Sequence, residues 1–341
     1  MPDVNLSKLK KLFQERRYSE VILDIESSTT DNNRTSALHN LLGVCRASQK
    51  GRTDRDTKYA LNDFETAFYK DNFGDISLES LCNHIKLCAE MGRKDSELLN
   101  NMLTSQKMYL EAEKKFSENY RYLSHGIDLY KYLIKHKEKI SVLEKILKSS
   151  GLNKSFGTSY ITSQMYLSNW KQINFAEFQK KFSNLFRVLN SKKLSKIDTT
   201  KKKIKIGFLS PDFKQSHSIT YFIKDLITDL KQTKFETFGL SLLTTNQHDE
   251  TTDKFSNLFD NWVDLGDKSD QEIVDAIQDE NIDILIDLAG LWSYNRLSIF
   301  NTRICPLQIS WLGFNNSTGL KEVDFILADT NTVKNEEKEY V

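Results

Sequence analysis

The sequence predicts two architectures in series: an all-α region over residues 1–190, then an α/β, doubly wound parallel sheet over residues 204–341. Three observations lead there. Between Pro2 and Pro211 there is no proline, and apolar side chains recur at three- and four-residue intervals as far as about residue 190. Residues 191–203, SKKLSKIDTTKKK, are polar and lysine-rich and read as a linker. From residue 204 onward, short runs of branched apolar residues alternate with amphipathic stretches, the rhythm of βα units.

The helical half has a repeat-like grain. LKKLFQERRYSEVILDIE (9–26) and YRYLSHGIDLYKYLIKHKEKISVLEKILKSS (120–150) carry the helical period. The Leu-Gly pair of LLGVCRAS (41–48), followed by Ala60, Phe64 and Ala67, resembles a tetratricopeptide repeat lengthened by an insertion around Gly51. In such a unit small residues let two helices cross closely and the phenylalanine fills the gap. HIKLCAEMGRKDSELL (84–99) resembles the start of another, and Asn72 stands where the repeat usually has proline. Cys82, His84 and Cys88 fit one helix and lack a fourth ligand, so no metal is expected.

In the second half IKIGFLS (204–210) is a buried strand. SITYFIKDLITDLKQ (218–232) is a helix whose apolar face is expected to hold Ile219, Phe222, Ile223, Leu226, Ile227 and Leu230. FETFGLSLL (235–243) is a strand, and SDQEIVDAIQDEN (269–281) a helix with Ser269 and Glu272 as a capping box. IDILIDLAG (282–290) is a buried strand, nearly continuous in branched apolar residues as a parallel sheet requires, and LQISWLGF (307–314) and VDFILAD (323–329) are two more strands.

Composition sets outer bounds. Of 341 residues 39% are hydrophobic and 28% charged, a folded and water-compatible balance. No apolar run reaches membrane-spanning length, the N-terminus lacks a secretion signal, and four cysteines without a CxxC pair suit a reducing compartment, so a cytoplasmic protein is expected. Residues 206–341 hold 23 acidic and 11 basic side chains; the rest hold 24 and 37. The basic residues scatter along helices, dense only in KKKIKI (201–206), and no aromatic-plus-basic motif accompanies them, so a nucleic-acid partner is not expected.

Ligands of a doubly wound sheet sit at the carboxyl ends of its strands. The turn after the first strand, SPDFKQSHS (210–218), has no glycine, and its side chains would keep a pyrophosphate from the backbone. Dinucleotide binding is excluded there, and no GxxxxGK[ST] loop occurs elsewhere. The turn offers instead a carboxylate, Asp212, and an imidazole, His217. Ser218 is the expected helix cap, which places His217 at the positive end of the helix dipole and favours a neutral ring. Asp212, partly desolvated at a strand end, is suited to act as a base.

IGFLSPDFKQSHSITYFI (206–223), NIDILIDLAG (281–290), NRLSIFNTRICPLQISWLGFNNSTGL (295–320) and VDFILAD (323–329) together resemble, in order and spacing, the catalytic region of the SPINDLY and O-GlcNAc transferase family of protein glycosyltransferases. A helical repeat region ahead of the catalytic part is that family's layout. The resemblance implies the N-terminal lobe of a GT-B fold and an inverting reaction without metal or cofactor. A Ser or Thr hydroxyl of a protein attacks the sugar carbon of a nucleotide sugar, taken here as UDP-GlcNAc, and the repeats receive the protein or peptide acceptor. It assigns Asp212 to proton acceptance and His217 to positioning of donor or acceptor. Gly290, Gly313, Ser317, Thr318 and Gly319 line the sugar side, and Asp287 stands at the matching strand end.

The sequence departs from the family in four places. The interval from Asp212 to His217 is one residue longer. Leu291 and Trp292 follow Gly290 where a His or Tyr is usual. Asn315 replaces a proline. After NEEKEYV the family continues into a second lobe that grips the diphosphate, so the chain is expected to be inactive without one. The alternative is a non-catalytic helical-repeat module for protein interaction.

Overall fold

The computed structural model describes residues 4–91, 97–167, 180–194, 197, 200, 203–215, 217–292, 295–314 and 316–331. They form two compact units that part between Gly151 and Leu152.

In the first unit α1 (Leu6–Gln14), α2 (Tyr18–Ser28), α3 (Ser36–Ala47), α4 (Asp54–Lys70), α5 (Asp75–Met91), α6 (Leu98–Phe116), α7 (Tyr120–Tyr132) and α8 (His136–Ser150) follow one another. Each apolar stretch divides where a non-glycine residue turns left-handed, Arg16 between α1 and α2 and Ile134 between α7 and α8. The repeat-like residues behave as their chemistry demands. A Cβ on Gly43 would sit 2.5 Å from the Phe64 ring, so α3 and α4 cross with that ring filling the gap. His84 is buried with Nδ1 2.7 Å from Ser105 Oγ and 3.6 Å from Cys88 Sγ. Burial pushes its pKa down to about 4.

In the second unit α9 (Lys154–Gln164) precedes β1 (Ile204–Ser210), α10 (Ser218–Leu230), β2 (Phe235–Ser241), α11 (Glu250–Leu258), β3 (Asn261–Asp264), α12 (Asp270–Asp279), β4 (Ile284–Asp287), α13 (Leu297–Phe300), β5 (Leu307–Trp311) and β6 (Phe325–Leu327). The six strands lie in the order β3-β2-β1-β4-β5-β6, every described pair parallel. The chain therefore reverses its direction of travel across the sheet between β1 and β4, the topological switch point.

Alternation along the strands feeds two cores. Ile206, Phe208 and Ile286 join α10 and α11 on one face through Ile219, Ile223, Ile227 and Phe255. Leu209, Leu240 and Leu285 join α12 and α13 on the other through Ile273, Val274, Ile277 and Phe300.

Three sequence expectations change. Ile161 of α9, Phe182 and Phe186 pack into the second of these cores, so the sheet's unit begins at Leu152, well before the 190/191 boundary drawn from composition. Helical periodicity cannot tell a repeat helix from one that covers a sheet. The polar stretch after it is docked at its start: Asn190 and Lys192 donate their N–H groups to Gln271 and Gln278 of α12, at 3.0 and 2.9 Å. Lys201 and Lys202 of the basic run lie outside the described residues. On α10 Phe222 is 65% exposed, because the buried stripe runs through Ile219, Thr220, Ile223 and Ile227 and leaves residue 222 about 100° round the helix from its centre.

Candidate active site at the switch point

The carboxyl ends of β1 and β4 meet at the switch point, with Leu209 in register with Asp287, and Asp287 with Ser310 of β5. Strand ends here turn by capturing their own following backbone. Ser210 Oγ accepts from Asp212 N–H at 3.0 Å and Ser241 Oγ from Leu243 N–H at 3.3 Å. Asp287 accepts from Ala289 and Gly290 N–H at 2.9 and 3.0 Å. Ser310 breaks the pattern: its Oγ is buried without a hydrogen-bond partner among the described residues. The sequence reading passed over Ser310; a serine between Ile309 and Trp311 near the carboxyl end of a strand was the available signal.

The structure brings Asp212 and His217 together. His217 Nε2 lies 3.6 Å from Asp212 Oδ2, an ion-pair distance beyond hydrogen-bonding range, and the two side chains are 38% and 15% exposed. Burial raises the Asp212 pKa above the ordinary carboxylate range, opposed by the charges of His217 and Lys214. His217 itself caps α10, in place of Ser218. Its backbone is extended and Nδ1 accepts from Ile219 N–H at 3.4 Å. With Nδ1 engaged by that bond, Nε2 is the ring nitrogen turned toward Asp212.

Asp287 is buried, with both carboxylate oxygens taken by the N–H groups of its own turn. Burial raises its pKa to about 6, and those two N–H groups oppose the rise. A carboxyl harder to ionise folded than unfolded stabilises the fold when protonated. This contribution is whole below about pH 4 and is lost as pH rises through about 6, a change of about 3 kcal/mol. Urea unfolding at pH 4.5 and 7 should therefore show wild type gaining stability relative to Asp287→Asn on acidification; a constant difference would contradict it.

The glycines lock the rims to each other. Gly290 has φ +58°, and a Cβ there would sit 2.2 Å from Phe314 Cβ; one on Gly313 would sit 1.9 Å from the Leu288 carbonyl oxygen. The loops after β4 and β5 thus need glycine for mutual contact. Ser317, Thr318 and Gly319 form a separate turn in which Gly319, at φ +70°, donates to Ser317 Oγ at 3.0 Å, and Thr318 is buried. Asn315 and the segment NEEKEYV lie outside the described residues. No group of His, Cys, Asp and Glu suited to a metal ion occurs among the described residues, and no described helix is long and apolar enough to cross a membrane.

Residues 181–340 match the profile of Glycosyl transferase family 41. A probable UDP-N-acetylglucosamine–peptide N-acetylglucosaminyltransferase SPINDLY of Arabidopsis thaliana is 33% identical over 131 residues, which is 37% of this chain and 14% of that protein. The UDP-N-acetylglucosamine–peptide N-acetylglucosaminyltransferase of Caenorhabditis elegans is 27% identical over 38% of this chain and 11% of its own length. The chain thus spans a small part of the curated relatives it matches. A mutant of the Thermobaculum terrenum O-GlcNAc transferase shares the fold, with a TM-score of 0.58 at 18% identity, over 88% of this chain and 55% of that one. Residues 181–340, with a parallel sheet in Rossmann order and its carboxylate–imidazole turn at the switch point, are thus similar to glycosyl transferase family 41 and to the SPINDLY and O-GlcNAc transferase proteins.

Proposed function

We propose that the chain supplies the acceptor-side lobe of an inverting, metal-independent glycosyltransferase that moves GlcNAc from UDP-GlcNAc to serine or threonine hydroxyls of proteins. The observation that carries this reading is the partly buried Asp212, 3.6 Å from His217, at the switch point of a sheet inside the family-matched region. The relatives' names supply the donor.

In the proposed step the acceptor oxygen forms a bond to the anomeric carbon, the bond from that carbon to the diphosphate breaks, and UDP departs with the electron pair. Asp212 takes the hydroxyl proton, and its raised pKa brings it nearer the working pH than an ordinary aspartate. His217 orients the reacting groups. Asp287 keeps the β4 turn, with Gly290, in place beneath the sugar side. The departing diphosphate needs cations or backbone N–H groups; these are a second lobe's contribution, and the helical repeats bind the protein acceptor.

The test is to give the full-length gene product UDP-GlcNAc, UDP-glucose and GDP-fucose with protein acceptors. GlcNAc on Ser or Thr with release of UDP is the expected result. Release of no nucleoside diphosphate from any donor, with peptide binding intact, would replace this reading with a non-catalytic interaction module.

A further inference from the structure

The turn 211–217 has a problem that its own residues do not solve. It lies between Gly207 and Gly239 with no glycine to define it. Among the described residues its internal hydrogen bonds are Asp212 N–H to Ser210 Oγ at 3.0 Å and Lys214 N–H to Asp212 O at 2.8 Å. Further anchors come from the segment around α11. Gln215 donates its N–H to Asp249 Oδ2 at 2.7 Å, and Thr252 Oγ1–H donates to Phe213 O at 2.8 Å. The Phe213 ring is buried among Phe255, Phe259 and Trp262, with centroids 5.8, 5.7 and 5.3 Å away.

Asp249 is the joint in this arrangement. One carboxylate oxygen, Oδ1, caps its own helix by accepting from Thr251 and Thr252 N–H at 2.8 and 3.0 Å. The other reaches across to a residue 34 positions earlier in the chain. A helix cap alone needs one acceptor; here both oxygens are in use. The Gln215 N–H, then those of the cap, hold the Asp249 carboxyl below its usual range.

We propose that Asp249 is a positioning residue for the site: with Thr252 it clamps the 211–217 turn from α11, so that Asp212 stays sheltered from water and faces His217. The proposal rests on the reading of Asp212 as proton acceptor only for its catalytic consequence. The clamp itself is measurable without turnover.

Asp249→Asn separates the two duties, because an amide has one oxygen. Asparagine is a good helix cap and keeps α11, but it cannot also accept from Gln215. Thr252→Val releases Phe213 O without changing charge. Ser269→Ala removes a cap of the same kind from α12, away from the turn. The chain as it stands is examined by amide hydrogen exchange and by carbon-13 NMR titration of the Asp212 carboxyl, whose charged neighbours are His217 and, at 4.0 Å, Lys214.

In Asp249→Asn the Gln215 amide should exchange at least about tenfold faster. The Asp212 midpoint should move down toward the ordinary carboxylate range as water reaches it. Thr252→Val should move the Asp212 midpoint the same way, and Ser269→Ala should leave both readouts unchanged. Wild-type exchange at Gln215, or a wild-type Asp212 midpoint in Asp249→Asn, overturns the clamp. Full transfer activity in Asp212→Asn would instead sink the proton-acceptor reading and leave the clamp standing.

Discussion

Gly313→Ala is expected to destabilise the β-containing unit by about 3 kcal/mol, among the larger effects of a single methyl group. The added Cβ would lie 1.9 Å from the Leu288 oxygen, 2.5 Å from its carbonyl carbon and 2.9 Å from Ala289 Cα. All three are backbone atoms, so no side chain can rotate away. The Leu288 backbone is held by its N–H to Leu209 O at 3.0 Å, which ties the β4 turn to β1. On the other side Gly313 donates to Trp311 O at 2.7 Å and follows Leu312 in the left-handed region. Either loop can yield only by giving up a strand-end hydrogen bond at the switch point. Urea unfolding followed by tryptophan fluorescence measures the loss. A variant within about 0.5 kcal/mol of wild type would show that the β4 and β5 loops do not depend on this contact.

The second large effect concerns rate. In the full-length protein Asp212→Asn is expected to lower GlcNAc transfer by about 10²–10⁴-fold, the range for loss of a general base. The substitution keeps size and much of the polarity, and the N–H bond from residue 212 to Ser210 Oγ does not involve the side chain. The turn should therefore keep its shape while losing its proton acceptor. Thermal unfolding alongside the assay separates this from misfolding: the loss of rate should come without a matching loss of stability.

Much of this arrangement was legible in the sequence. IKIGFLS is β1 from end to end, and Ser269 with Glu272 forms the capping box that its spacing promised. Strong local patterns survive folding because each is stabilised locally. β3 and α11 were not read. β3 has four residues, none of them buried, and in α11 only Phe255 and Thr252 are buried, so neither gives a periodic signal. Yet this weak stretch supplies Asp249, Thr252 and the aromatic bed of Phe213. Asp249 could have been found as a cap from the D-x-x-T spacing in HDETT, but its second contact, to Gln215, is a product of tertiary structure alone. The glycines tell a similar story. Gly290 and Gly313 were expected beside a sugar; the structure shows the absent side chains leaving room for Phe314 and Leu288.

The claim that the first turn of the sheet receives a proton from an attacking hydroxyl is tested most directly by the pH dependence of transfer in wild type and Asp212→Asn. Because burial raises the Asp212 pKa, wild-type activity should fall on acidification at a pH above the ordinary aspartate range. The variant's residual rate should lack that acid limb. A variant with the wild-type rate and the wild-type limb would contradict the account.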